Sequence, residues 1–151
     1  MALCELQSMN EIANLIGDVP DFPKPGIVYK DITTLLENPK GLKLVIDAFE
    51  ARYAGKGVTH FAGIESRGFI FASALAHAMG VGLVLIRKPG KLPRPTHSAS
   101  YALEYGEDTV HIHQDAVGAG DKVVIVDDLD NGILKTTVAG EMFQRDLPDV
   151  V

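Results

Sequence analysis

Two aspartates, Asp127 and Asp128, close the run Lys122-Val123-Val124-Ile125-Val126. Four consecutive β-branched residues without polar alternation describe a strand buried on both faces, as in a parallel sheet. Open α/β sheets bind their ligands at the carboxyl ends of such strands. Adjacent carboxylates repel, so the pair needs cations or hydroxyl donors to meet it. A second candidate is Glu65-Ser66-Arg67-Gly68, which leaves a strand and opens a helix. Backbone N–H groups at a helix start attract anions, Gly68 permits close approach, and Arg67 can fork onto phosphate oxygens. The third is cationic: Arg87, Lys88, Lys91 and Arg94 fall within eight positions with no acid between them. On a chain of net charge −6, such a local cluster suits a small polyanion, and the acidic whole argues against a nucleic-acid polymer.

The elements that must carry these residues can be read from patterning. Ser8-Met9-Asn10-Glu11 has the form of a capping box, with Ile12, Leu15 and Ile16 as the apolar stripe and Gly17 as the stop. Pro20, Pro23 and Pro25 argue against regular structure before Ile27. Asn38-Pro39 predicts the start of a second helix, with Leu42, Val45, Ile46 and Phe49 on one face and Gly55 or Gly57 ending it. His60 to Ile64 reads as a strand, Gly68 to Met79 as a helix closed by Gly80, and Leu83 to Ile86 as a second strand. That order implies a crossover and a parallel pair. Three prolines and a glycine make Arg87 to Thr96 a loop. Ser98 to Leu103 and Thr109 to His113 then flank Glu104-Tyr105-Gly106-Glu107-Asp108 as a hairpin, with His111 and His113 on its exposed face.

The 151 residues fit one domain, 1–151, and an apolar content of 46% is too high for disorder. No apolar run reaches the ~20 residues of a membrane span, and Met1 to Glu5 lacks the start of a signal peptide. The single cysteine, Cys4, makes no internal disulfide, which suits the cytoplasm.

Four segments carry a resemblance. They are Asp21-Phe22-Pro23-Lys24-Pro25-Gly26-Ile27-Val28-Tyr29-Lys30-Asp31-Ile32, Glu65-Ser66-Arg67-Gly68-Phe69, Ile86-Arg87-Lys88-Pro89-Gly90-Lys91-Leu92-Pro93 and Tyr101-Ala102-Leu103-Glu104-Tyr105-Gly106. With the aspartate strand, and in this order, the chain from about Met9 to Leu129 resembles the type I phosphoribosyltransferases, in particular those acting on adenine. The resemblance implies an α/β fold, a mostly parallel central sheet flanked by helices with a small hairpin attached. It implies conversion of adenine and 5-phosphoribosyl 1-pyrophosphate to AMP and pyrophosphate in purine salvage, by a cytoplasmic homodimer away from any membrane. Mg²⁺ is expected to accompany the donor, bound mainly through the substrate, with Asp127 and Asp128 as the protein's own contribution.

The same resemblance assigns Val28, Tyr29 and Lys30 to adenine, where the family usually has Phe and Arg in place of Tyr29 and Lys30. It assigns Glu65, Ser66, Arg67 and Gly68 to a first pyrophosphate contact, with a non-proline cis peptide at Glu65–Ser66. Arg87, Lys88 and Lys91 form the second contact. Asp127, Asp128 and Leu129 fall to the ribose side. Glu104 is expected to manage the purine's imidazole proton, with Arg67, Asp127 and Asp128 beside it as catalytic candidates. Beyond Leu129 the pattern changes. The family's short loop of the kind Leu-x-Thr-Gly-Gly-Thr is replaced by Leu129-Asp130-Asn131-Gly132-Ile133-Leu134-Lys135-Thr136-Thr137, and the chain is shorter than the family's usual length. Asp130 beside a 5′-phosphate would weaken the hold on the donor, unless Lys135, Thr136 and Thr137 form a cradle of their own. This motivates a second reading, a non-catalytic homologue or truncated product that binds nucleotide weakly or acts through a partner.

Overall fold

A computed structural model of the chain describes residues 3–103, 106–130 and 133–138. The backbone divides into two compact units, the first built on the chain before Tyr53 and the second on Tyr53–Asp128.

The first unit holds α1 (Leu3–Leu15), β1 (Gly17–Pro20), β2 (Val28–Asp31), α2 (Thr33–Glu37) and most of α3 (Gly41–Tyr53). Three expectations are corrected here. Helix α1 begins at Leu3, so Ser8 lies inside it and not at its start; most of the residues from Leu3 to Gln7 are good helix formers and extend the helix upstream. Gly17 opens a strand instead of merely stopping a helix. β1 pairs antiparallel with β2, Gly17 opposite Asp31 and Pro20 opposite Val28, and a turn containing Pro23 and Pro25 joins them. Proline at a strand end costs no ladder bond, so Pro20 is tolerated there. Asn38 ends α2 and does not start α3. Its N–H donates to Leu35 O at 3.2 Å and its Oδ1 accepts from Lys40 N at 2.9 Å. Helix α2 is too short to leave a periodic signal. The Thr34 hydroxyl donates to Leu15 O at 2.7 Å and accepts from Gly17 N at 2.9 Å, tying α2 to the end of α1 and the start of β1. Ile12, Ile32, Leu35, Val45, Ile46 and Phe49 are buried.

The second unit contains β3 (His60–Ile64), α4 (Gly68–Met79), β4 (Gly82–Ile86), β5 (Thr96–Leu103), β6 (Gly106–His113) and the first part of β7 (Val123–Asp130). The sheet order is β4-β3-β7-β8, with β8 spanning Ile133–Val138. β3 runs parallel to both β4 and β7. The register is continuous across them: His60 stands beside Gly82 on one side and Val123 on the other, and Gly63 beside Leu85 and Val126. The strand at Val123 was expected to close at its aspartates. It runs on to Asp130, because β8 lies beside it in the sheet. Ala62, Ile64, Val84, Ile86, Val123 and Ile125 form one core cluster with Val110 and Ile112 of the β5–β6 hairpin. His111 and His113, expected on an exposed face, are half-buried. A nitrogen of the His111 ring lies 3.1 Å from Thr96 Oγ1, and one of His113 lies 3.2 Å from the Arg94 guanidinium.

Helix α4 buries Gly68, Phe71, Ala72, Leu75 and Ala76, the i, i+3, i+4 repeat of a single face, and Gly80 at φ 65° ends it in the left-handed region. Its first residue is wedged against the sheet. A Cβ on Gly68 would lie 2.5 Å from Val126 O and 3.2 Å from Asp127 Cα. Gly68→Ala must therefore push the helix start off β7. We expect a loss of about 1–3 kcal/mol in stability, the usual cost of overpacking, read as a lower melting temperature. An unchanged melting temperature would mean that α4 does not seat on β7 in this way.

Candidate functional site

Because β4, β3 and β7 are parallel and in register, the residues that follow them emerge at one edge. Glu65 is next after Ile64 of β3 and Arg87 after Ile86 of β4, while Asp127 lies within β7, just past Val126, the last residue that pairs with β3. Ile64 and Ile86 are neighbours, and the Glu65 N–H donates to Ile86 O at 2.9 Å. The Glu65–Ser66 peptide is cis. Ser66 and Arg67 are exposed at the head of α4, whose first turn contains no acid and whose N-cap, Arg67, makes no side-chain capping bond. The half-buried Asp127 turns Oδ1 toward the same point, 3.3 Å from where a Gly68 Cβ would lie. The sequence-predicted residues Glu65, Ser66, Arg67, Gly68, Arg87 and Asp127 are thus gathered within the second unit.

Charge is distributed by hydrogen bonding. The Arg87 guanidinium donates from Nη2 to Glu65 Oε1 at 3.2 Å and from Nε to Oε2 at 3.3 Å. The Lys88 backbone N–H donates to Glu65 Oε2 at 2.9 Å. Together these hold the Glu65 carboxyl below its usual range, the Lys88 N–H contributing most and the Arg87 bonds next. Arg87 Nη1 also reaches Lys91 O at 3.5 Å. Two antiparallel bonds, Arg87 N to His111 O at 2.9 Å and His111 N to Arg87 O at 2.7 Å, fix the Arg87 backbone to β6. The Lys88 ammonium is paired with Asp108, while Lys91 is exposed.

Val28, Tyr29 and Lys30 stand on β2 in the first unit. Val28 is exposed, and Tyr29 and Lys30 are half-buried. Phe22 meets Tyr29 edge to face, with ring centroids 5.2 Å apart. Lys30 pairs with Asp18, its cross-strand neighbour. Two residues with roles here were missed from sequence. Asp108 was read only as part of a hairpin turn, yet the β5–β6 register places it opposite Tyr101 inside the ladder. Phe22 was quoted only within a motif, although an aromatic seven residues from another across a proline turn is a hairpin signal. Glu104 lies outside the described residues. Asp128 and Leu129 are on β7 and Lys135, Thr136 and Thr137 on β8, with no side-chain description, so the expectation of an altered phosphate cradle falls outside the described residues. Among the described residues, no three His, Cys, Asp or Glu side chains are grouped to hold a metal ion. Among them too, no helix is long and apolar enough to cross a membrane.

Glu65 ionises more readily folded than unfolded. Its stabilising contribution is therefore complete above the unfolded carboxyl pKa of about 4.3 and is lost as pH falls through the lower folded value. Glu65→Gln should melt about 2–4 °C below wild type at pH 7, the shift for roughly 1 kcal/mol, and the two curves should converge as pH falls through the folded value. Parallel curves down to that pH would refute the pairing.

The geometry has close counterparts. The phosphoribosyl transferase domain family matches residues 31–132. An adenine phosphoribosyltransferase of Acaryochloris marina is 56% identical over 119 residues, 79% of this chain and 70% of that protein. The crystal structure of adenine phosphoribosyltransferase from Thermoanaerobacter pseudethanolicus superposes with a TM-score of 0.74 at 48% identity, covering 80% of this chain and 70% of that one. The enzyme from Saccharomyces cerevisiae, crystallised with an imino-altritol bisphosphate and adenine, gives a TM-score of 0.75 at 38% identity over 82% of this chain and 72% of its own. The chain belongs to the phosphoribosyltransferase family, among the adenine phosphoribosyltransferases.

Proposed function

We infer that this protein is an adenine phosphoribosyltransferase, taking adenine and 5-phosphoribosyl 1-pyrophosphate to AMP and pyrophosphate. The observation that carries the reading is the meeting of the α4 N-terminus, Arg87 and Asp127 at one sheet edge. In the reaction a purine ring nitrogen bonds to the ribose C1′ as the bond from C1′ to the pyrophosphate oxygen breaks. The ribose passes through an oxocarbenium-like state, as in glycoside cleavage. The protein's share is positioning and electrostatics. Arg67 and the first N–H groups of α4 receive the leaving pyrophosphate, with Ser66 and Gly68 leaving room for it. Arg87, Lys88 and Lys91 supply further positive charge. Asp127 and Asp128 accept from the ribose hydroxyls, and Leu129 follows them.

Val28, Tyr29 and Lys30 receive the base, and Glu104 takes up the purine's imidazole proton. Mg²⁺ bound with the donor would neutralise the charge on its oxygens. Asp127 would help to hold the ion, since its half-buried carboxylate faces the start of α4. The protein works in the cytoplasm as a homodimer, in purine salvage, with 1–151 serving as one phosphoribosyltransferase domain. A second reading, a homologue that binds nucleotide without turnover, is motivated by Asp130 and the lone Gly132 where a glycine-rich loop is usual. Formation of AMP from labelled adenine and the donor decides between the two.

Pyrophosphate with Mg²⁺ should raise the melting temperature by linkage, about 2.7 kcal/mol of stabilisation at a hundredfold excess over Kd. Arg67→Ala should lose most of that rise; equal responses would remove Arg67 from the site. Tyr29→Ala should weaken adenine binding by about 1–3 kcal/mol in a calorimetric titration, while Tyr29→Phe stays near wild type. Equal losses in both would assign the work to the hydroxyl group.

A further inference from the structure

A carboxylate is out of place at a site for a polyanion, yet Glu65 leaves β3, the strand between β4 and β7. Like charges repel, so Glu65 costs affinity unless its side chain has another task there. Glu65 and Arg87 hold matching positions, each one residue past the paired Ile64 and Ile86 of adjacent parallel strands. The Glu65 N–H donates to Ile86 O, which joins the two strand ends beside both side chains. Three donors turn the carboxylate back onto the chain: Arg87 Nη2 on Oε1, and Arg87 Nε with the Lys88 N–H on Oε2. Only 18% of the Glu65 side chain is exposed, against 30% for Arg87.

What this does to Arg87 goes beyond charge. A guanidinium carries its N–H groups in one rigid plane and can fork onto an anion from its side, Nε with Nη2, or from its end, Nη1 with Nη2. Glu65 takes the side. Nη1 gives one N–H to Lys91 O at 3.5 Å, which leaves, among the described residues, one N–H on each of Nη1 and Nη2. A second fork can form only at that end. The root of the side chain is equally constrained, because Arg87 and His111 exchange backbone bonds in both directions, at 2.9 and 2.7 Å. The guanidinium plane is therefore oriented before any ligand arrives.

We propose that Glu65 is a positioning residue: it occupies the Nε–Nη2 side of Arg87 and so makes the arginine present its Nη1–Nη2 end to a phosphate of the donor or of pyrophosphate. This rests on the reading of the sheet edge as a pyrophosphate site. The Glu65 carboxylate acts through Arg87 and does not itself hold the ligand. Its negative charge opposes the polyanion, but the fixed plane removes the entropy cost of ordering a long side chain on binding.

The test is calorimetric titration of Mg²⁺–pyrophosphate into the full chain, well below the melting temperature, with wild type, Glu65→Gln, Glu65→Asp, Arg87→Ala and the double variant Glu65→Gln/Arg87→Ala. Charge and orientation predict opposite signs. Removing a nearby negative charge would by itself tighten a polyanion, whereas loss of the clamp should weaken it, on the order of three- to tenfold in Glu65→Gln. Glu65→Asp keeps the charge but is a methylene too short for the same fork, so it should weaken binding as well. In the Arg87→Ala background nothing is left to orient, and Glu65→Gln should then leave binding unchanged or tighten it. In turnover the loss should fall on KM for the donor with KM for adenine unchanged, a split that general loosening of the fold would not give. Equal or tighter binding in Glu65→Gln, or the same loss with Arg87 absent, overturns the proposal while leaving the pyrophosphate site intact. Wild type that fails to bind pyrophosphate overturns the site reading and this proposal with it.

Discussion

The parallel register of β4, β3 and β7 is the constraint on which the rest of the second unit depends. Side chains alternate along a strand, so a slip of one residue would send every side chain of that strand to the opposite face of the sheet. It would also move Glu65, Arg87 or Asp127 out of step with the other two. The core prevents this: Phe61, Ala62, Val84, Ile86, Val124 and Val126 are buried, so no strand can slide without exposing apolar surface. Gly63 and Gly68 let α4 close onto that sheet. A Cβ at Gly63 would lie 2.8 Å from Gly68 O and 3.0 Å from Ala72 Cβ, so the helix approaches the strand at a distance no larger residue allows. The N-terminal end of the helix is placed by packing, and the charges are placed by register.

What remains is to keep neighbouring cations in one place before any ligand arrives. Arg87 and Lys88 would repel if left alone. Two carboxylates from different elements, Glu65 after β3 and Asp108 on β6, meet them separately. Glu65 does more than neutralise, because it also accepts the Lys88 N–H and so fixes the backbone where the cationic loop leaves the sheet. Farther along, Arg94 donates to both oxygens of Asp115. The loop between Arg87 and Thr96 is therefore fastened at both ends by ion pairs, with Gly90, at φ 77°, between them. Lys91 lies exposed in the middle of a segment whose ends are fixed.

Much of the second unit was legible in the sequence because its signals are strong and local. The buried run from Val123, the alanine-rich helix closed by Gly80 and the short apolar strands at His60 and Leu83 all match their elements closely. The first unit was harder, for physical reasons. Ser8 sits among residues that form helices well in either direction, so a capping box there competes with propagation and loses. Asn38-Pro39 looks like a helix start because the same side chain that caps a helix also closes a tight turn, and here it closes the turn after α2. Pairings between distant residues left no local trace. Neither the Glu65–Arg87 fork nor the Lys88–Asp108 pair can be read from spacing, since the partners stand 22 and 20 positions apart and meet only through the sheet.

The proposed base site raises a different question, because Tyr29 and Lys30 depart from the family's usual types. Strand geometry separates their duties. Neighbouring residues on β2 point to opposite faces, so Tyr29 projects away from Lys30 and Val28. Lys30 turns to Asp18 directly across the β1–β2 ladder, which gives its charge a partner within the hairpin. A lysine makes that contact as well as an arginine would, since a single carboxylate oxygen needs no planar fork. Tyr29 is steadied by the edge of Phe22, and the exposed apolar side chains Phe22, Ile27 and Val28 crowd the same turn. Water gains little from such a surface, whereas a flat heteroaromatic ring would cover it and stack at modest entropic cost. The ring at position 29 is thus held by Phe22, and the charge at position 30 is met within the strand pairing that presents it.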